Sequence, residues 1–338
     1  MTNVLNTLYV TTAGARVHLE GESLKVFVER QLKMQVPLHH LVSLVCIGPV
    51  LVTPDAMQAC AESGTLIAFL GPTGRFQARV EGALVRSAML RREQYRAADD
   101  PKRTLGLAQG FVGGKLANAR TVVRRAGRTR DAGEDEIDRC AMRIAELGRR
   151  VLDAKDLDSL RGLEGEAAAR YFGVFDVMLG TDGMRFEKRT RRPPRDPVNA
   201  LLSFGYAMLA IDCTAAAQAT ALDPAVGFLH AERPGRPALA LDLMEELRPL
   251  VVDRMVLAMV RLGQVGPTDF DALPTGETRL TESARKKFLV EYQQRKRDMV
   301  SHPLSADPIA WALVPHIQAR LLARAIRGEA EYVPFLVK

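Results

Sequence analysis

Only four cysteines occur in 338 residues, Cys46, Cys60, Cys140 and Cys213, and no two stand in a CxxC pair. Zinc-finger and dithiol redox chemistry therefore have no support, and four reduced thiols in a cytoplasmic protein is the reading left. No apolar run approaches the roughly 20 residues of a membrane span. The opening MTNVLNTLYV lacks the basic region and long apolar core of a secretory signal. The expected location is the cytoplasm, with no membrane partner. No internal repeat is present, and the one low-complexity stretch is the basic-proline RRPPRDP at 191–197. A P-loop is also absent, as is a Ser-His-Asp set in a convincing local context.

What is present is an ordinary globular composition, 47% apolar and 26% charged, in a chain long enough for two domains. Lysine and arginine exceed aspartate and glutamate by 47 to 40, which favours a polyanionic partner such as nucleic acid. From Thr7 to about Val80 the pattern predicts strands: LYVTT, ARVHLEG, SLKVFVE, VSLVCIG, TLIAFLG and RFQARVE are short, rich in β-branched residues and bounded by turns. Pro54 to Ser63 reads as a helix capped by Thr53. Beyond about Leu84 helical periodicity takes over, as in LVRSAMLRREQYR and GFVGGKLANARTVVRR. Asp131 to Glu136 reads as an acidic joint and Asp153 to Ser159 as a short link. After RRPPRDP, which must break a helix, VNALLSFGYAMLAIDCTAAAQA predicts one long, buried helix. The fold class expected is α+β, with a small β-rich N-terminal domain and a larger all-α domain.

Positive charge falls in three runs. Twelve basic residues oppose three acidic ones between Arg86 and Arg130, and six oppose one in both Arg185–Arg195 and Arg285–Arg297. A single such run is commonly a solvated helix face; three beside an acidic cluster favour a phosphate-binding surface. Arg189, Arg191, Arg192, Arg285, Lys286 and Lys287 are its candidate nucleic-acid contacts.

The acidic cluster lies within LRGLEGEAAARYF, VGFLHAE and ALALDLMEELRPLVVDR. Glu164 sits in the first turn of a helix whose apolar face is Leu163, Ala167, Ala168, Tyr171, Phe172 and Phe175; complementing the helix dipole is the plainer explanation, and Glu166 suits it better. His230 ends an apolar run before a Pro-Gly loop, where a hydrogen-bonded core histidine is the ordinary reading. Asp242 and Glu245, three apart, point to one side of a helix otherwise covered by Leu239, Leu241, Leu243, Leu247 and Val251. Singly, each has a structural explanation. Two or three carboxylates with one imidazole in apolar frames form a donor set suited to Mg²⁺ or Mn²⁺ and to phosphodiester chemistry.

Three strings, LRGLEGEAAARYFGVFD, RRPPRDPVNALLSFGYAML and PAVGFLHAERPGRPALALDLMEELRP, resemble the CRISPR-associated integrase that captures spacers, the first protein of the Cas series, in its subtype I-C form. The likeness covers nearly the whole chain. It implies a β-rich dimerisation domain over 1–80, a linker and first helix over 81–100, and an α-helical catalytic domain over 101–338. It places the catalytic metal ligands on Glu164, His230 and Glu245, with Asp242 supporting. Some members carry aspartate where this chain has Glu245, which keeps the carboxylate and lengthens its reach by one methylene. The implied partners are DNA (the captured fragment and the CRISPR leader-repeat), a second copy of the chain and the second Cas protein. The implied reaction is attack by a 3′-hydroxyl on a phosphodiester. Two other readings stay open from the residues: a structure-specific metal-dependent nuclease using water on branched or single-stranded DNA, and an architectural DNA-binding protein whose acidic cluster is structural.

Overall fold

Stretches of β-branched residues closed by tight turns build the strands of the first of two units, Met1–Arg86 and Ser87–Lys338. The structure, a computed structural model, describes residues 6–72, 74, 76–80, 88–127, 133–181, 183–304 and 307–337. In the first unit, β1 (Asn6–Val10), β5 (Leu41–Ile47), β7 (Leu66–Leu70) and β8 (Phe76–Val80) form one sheet in that order. Its first three strands are parallel and β8 is antiparallel. A second sheet runs β4 (Gln31–Pro37), β3 (Ser23–Val28), β2 (Arg16–Glu20), β6 (Leu51–Val52). Helix α1 (Pro54–Ser63) starts as its sequence predicts: the Thr53 hydroxyl accepts from the Ala56 N–H, and Pro54 occupies the first turn. Leu8, Leu44 and Ile67 from one sheet, Val17 and Leu24 from the other, and Ala56 and Cys60 from α1 share one core. Strand β4 escaped the sequence reading because Leu32 and Met34 stay exposed, so it has no buried face to create a pattern.

The second unit is helical: α2 (Ala88–Asp99), α3 (Pro101–Gly127), α4 (Glu134–Arg150), α5 (Leu157–Gly173), α6 (Phe175–Leu179), α7 (Pro197–Ala219), α8 (Ala238–Glu245), α9 (Arg254–Arg261), α10 (Glu282–Arg297) and α11 (Val314–Ile326). The chain is thus α+β with a β-rich N-terminal part and a helical C-terminal part. The second unit is not all-α, however. Two short antiparallel pairs, β9 (Phe270–Ala272) with β10 (Thr278–Leu280) and β11 (Met299–Val300) with β12 (Ile309–Ala310), are too brief to show periodicity. The start of LVRSAMLRREQYR, 84–87, and the first part of the acidic joint, 131–132, lie outside the described residues.

Helix α3 packs on α4, α5 and α8, while α7 packs on α8 and α11. Helix α7 is long and apolar enough to cross a bilayer, yet 72% of its most apolar window is buried inside this unit, as a central core helix requires. At Gly205 a side chain would sit 2.5 Å from Val252 Cγ1 and 2.8 Å from Phe288 Cζ, so only glycine lets those neighbours close on α7.

One expected helix is broken. The run from Ala240 to Arg254 does not continue as a single helix: α8 ends at Glu245 and a π-helical turn, Pro249–Asp253, precedes α9. Pro249 has no N–H to donate and its ring crowds the preceding turn, which favours the break there. Glu246, one residue on from Glu245 and so turned about 100° from it, faces a buried network with the C-terminal segment. It accepts from Gln318 Nε2 and the Tyr332 hydroxyl, both at 2.8 Å, and from the Phe335 N–H at 2.8 Å. Gly110 and Gly114 on α3 leave room for that segment, since a side chain at Gly114 would meet Pro334 Cβ at 2.8 Å.

Burial pushes the Glu246 carboxyl up from 4.5 to about 7, against the pull of those three donors. A folded-state value above the ordinary one favours the protonated fold, so this stabilisation is full below about 4.5 and lost as pH rises through about 7. Glu246→Gln should therefore flatten the dependence of melting temperature on pH between those values. A slope as steep as the wild type's in the variant would refute the assignment.

Candidate active site

Four segments of the second unit converge on one point. Helix α5 begins at Leu157 because Asp156 and Ser159 form a reciprocal capping box, with the Ser159 N–H 2.7 Å from Asp156 Oδ1. The 153–159 stretch is therefore partly helix, and Glu164 lies well inside α5 rather than in its first turn. That removes the helix-dipole explanation. Glu166 pairs instead with Arg143, 2.5 Å away on α4. Glu164 points from α5 toward Lys115 of α3 and forms an ion pair with its ammonium.

Asp242 organises the loop that carries His230. It is fully buried and accepts from four donors. Its Oδ2 takes the N–H groups of Phe228 at 2.6 Å and Leu229 at 3.1 Å. Its Oδ1 takes the His230 N–H at 3.0 Å and His230 Nδ1 at 2.7 Å. A carboxylate only accepts, so Nδ1 carries a hydrogen and, in the neutral ring, the lone pair is on Nε2. Gly227 makes this approach possible, because a side chain there would stand 2.7 Å from Asp242 Oδ2. Arg161 on α5 fixes the same loop through the Leu229 carbonyl, at 2.8 Å from Nη2. Asp242 has no lone pair aimed elsewhere and acts as the positioning group for His230.

His230 Nε2 faces Glu245 Oε1 at 3.7 Å, and Arg248 Nη1 approaches the same oxygen at 3.2 Å. Glu245 Oε2 lies 2.6 Å from Lys115 Nζ, a short ion pair within the fold. Burial pushes the Glu245 carboxyl up, but Arg248, Lys115 and His230 together outweigh it and hold it down at about 2. Glu164 and Glu245 thus share the Lys115 ammonium, and His230 faces Glu245. Among the described residues no three His, Cys, Asp or Glu side chains are already drawn close enough to hold an ion. Even so, the donor set of one imidazole nitrogen and two carboxylates, one of them buried, fits Mg²⁺ or Mn²⁺.

Behind this point lies a small cavity of about 20 Å³ lined by Lys115, Ala168, Tyr171, Tyr206, Arg248 and Asp253. Asp253, aimed inward by the π-helical turn, accepts from Tyr206 at 2.6 Å and Tyr171 at 3.0 Å. Its burial pushes its carboxyl up to about 6. Arg248 stacks over the Tyr206 ring at 4.7 Å, which holds its guanidinium beside Glu245. Lys115, Arg248 and Asp253 were missed by sequence reasoning. A lysine between Gly114 and Leu116 in an apolar helix, and an arginine three residues after Glu245, were the available signals.

The candidate phosphate contacts separate. Arg191 and Arg192 are exposed. Arg189 is turned inward: Nη1 donates to Asn199 Oδ1 at 2.6 Å and Nη2 to Ser203 Oγ at 3.1 Å, and its guanidinium lies 5.3 Å from the Tyr206 ring centre. Lys286 pairs with Glu282 at 2.8 Å and Lys287 with Asp269 at 2.9 Å, while Arg285 is half-buried on the same helix. Further along α10, Arg295 and Lys296 reach Asp298 and Asp212. Much of that basic run is engaged within the unit itself.

Residues 8–294 match the family described as CRISPR associated protein Cas1. Over 340 residues the chain is 44% identical to the CRISPR-associated endonuclease Cas1 1 of Moorella thermoacetica, with 99% of each chain covered. Its fold is similar to that of a CAS1 protein from Thermotoga maritima, at 22% identity and a TM-score of 0.83 over 97% of this chain and 99% of that one. It is also similar to a casposase bound to integration product, at 21% identity and a TM-score of 0.83 over 98% and 93%. By a match spanning most of its length and a relative alike from end to end, the chain belongs to the Cas1 family of CRISPR-associated proteins.

Proposed function

We propose that this Cas1-family endonuclease is a metal-dependent integrase of CRISPR adaptation, acting in the cytoplasm on captured DNA fragments and the CRISPR leader-repeat. Support for the fine reading comes chiefly from one arrangement: a histidine whose Nδ1 hydrogen is held by Asp242 and whose Nε2 faces Glu245, with Glu164 reaching the same point. Glu164, His230 and Glu245 would hold Mg²⁺ or Mn²⁺, which supplies Lewis acidity toward a phosphodiester and its attacking hydroxyl. The chain's own residues do the rest. Asp242 fixes the ring's tautomer and direction, Arg248 pins Glu245, and the buried frame keeps these charges strong by excluding water. In joining, a DNA 3′-hydroxyl forms the new P–O bond and the displaced strand leaves as a 3′-hydroxyl; in cleavage, water takes the nucleophile's part. A second copy of the chain and the second Cas protein are the proposed partners.

Glu164→Gln should abolish joining and cleavage with little change in melting temperature, because its side chain is 26% exposed. Glu245→Gln should abolish both and also lower the melting temperature, since Arg248 then keeps its buried charge without that carboxylate and Lys115 keeps only Glu164. Joining of a labelled 3′-hydroxyl fragment to a repeat-bearing plasmid, with EDTA as the control, is the assay. Wild-type joining by either variant would remove that residue from the ligand set. Cleavage without joining would favour the simpler nuclease, and DNA binding alone the architectural protein.

The exposed pair Arg191 and Arg192 should neutralise phosphates that Arg189 does not reach. Replacing both by alanine should reduce the log-log salt slope of DNA binding by up to about two, roughly one for each phosphate left without its arginine. An unaltered slope would return them to the role of a solvated loop.

A further inference from the structure

Lys115 is an odd residue to bury in a site built to hold a cation. It is 8% exposed, lies midway along α3, and brings a positive charge to the point where an ion would need carboxylate oxygens. Its Nζ pairs with Glu164 and stands 2.6 Å from Glu245 Oε2, while His230 Nε2 faces that carboxylate's other oxygen. The Glu245 contact is a short ammonium–carboxylate pair inside the fold, and a cation that took this carboxylate as a ligand would have to displace it. The adjoining cavity of about 20 Å³, which Lys115 itself lines, has room for one water-sized group such as an ammonium.

We infer that Lys115 is a built-in occupant of the metal pocket: its ammonium neutralises Glu164 and Glu245 in the metal-free protein and is expelled from between them when an ion enters. This rests on the metal reading above and adds to it a determinant of affinity. Without the lysine, the two carboxylates it joins would keep only Arg248 and His230 close to Glu245 and no cation between them, a repulsion that strains the metal-free site. With it, the empty site is folded and ready, at the expense of affinity, because every entering ion must first break two ion pairs. The lysine thus trades metal affinity for stability of the empty protein, and the two quantities should move in opposite directions when it is removed. A lysine of purely structural value would move them together.

The test is a titration of the full chain with Mn²⁺ in the absence of DNA, with the free ion followed by its electron paramagnetic resonance signal, together with melting curves with and without the ion. Lys115→Met should melt lower than wild type when metal-free, recover toward the wild-type value with saturating Mn²⁺, and bind Mn²⁺ at least about tenfold more tightly, a modest share of two ion pairs at an effective dielectric of about 20. Should the single variant fail to fold, Lys115→Met combined with Glu164→Gln restores the charge balance and should melt near wild type when metal-free. If the double variant melts as low as the single one, Lys115 is only a packing residue and the inference falls. Equal or weaker Mn²⁺ binding by a folded Lys115→Met, beside clear binding by wild type, overturns the inference alone. Failure of wild type and variant alike to bind Mn²⁺ overturns the metal reading and the inference together.

Discussion

The buried charge of Glu245 is the constraint on which the second unit's arrangement depends. A carboxylate that is 2% exposed would ordinarily be protonated. Here two cations from two segments keep it charged, Arg248 from the turn after α8 and Lys115 from α3, and the His230 ring of the 226–232 loop adds to them when it carries both protons. Each is itself held in place. Arg248 is pressed on Tyr206, whose hydroxyl goes to Asp253, and His230 hangs from Asp242. Taking water out of such a site makes every one of these interactions stronger and any missing partner more expensive.

Three acids within five residues illustrate how environment, not residue type, assigns the role. Asp242 receives four hydrogen bonds and becomes a fixed support for the histidine loop. Glu245 is surrounded by cations and pulled down to about 2. Glu246, adjacent in sequence, meets neutral donors of the C-terminal segment and is pushed up to about 7. Helical geometry separates the last two, since successive residues at 3.6 per turn point about 100° apart. The π-helical turn that follows then brings Asp253 round to Tyr171 and Tyr206 on the far side of Arg248.

The outlines of this structure were legible because period-2 strands, the Thr53-Pro54 helix start and the apolar run of α7 depend on local chemistry. Strand β4 was not, since its exposed Leu32 and Met34 mark no buried face. The site was legible only in part. Glu164, His230 and Glu245 each have a plain structural explanation when taken singly, and it was their combined strings, through family resemblance, that joined them. The cations that accompany them come from positions whose meaning arises only on folding: Lys115 is 49 residues from Glu164 in sequence. The basic runs divide for the same reason. Arg189 looks like Arg191 and Arg192 on the page, but the inward loop gives it Asn199 and Ser203 as partners.

Glutamate rather than aspartate at position 245 follows from the same geometry. Its two oxygens serve opposite sides of the site, Oε1 toward Arg248 and His230 and Oε2 toward Lys115. α8 is buried at Asp242, Leu243, Met244 and Glu245 and cannot slide toward α3 without disturbing the Asp242 contacts that hold the histidine loop. The extra methylene supplies reach that the backbone cannot. An aspartate in this frame would keep the charge but fall short of one of its two groups of partners, so the longer side chain and the buried lysine opposite it belong to one solution of the same packing problem.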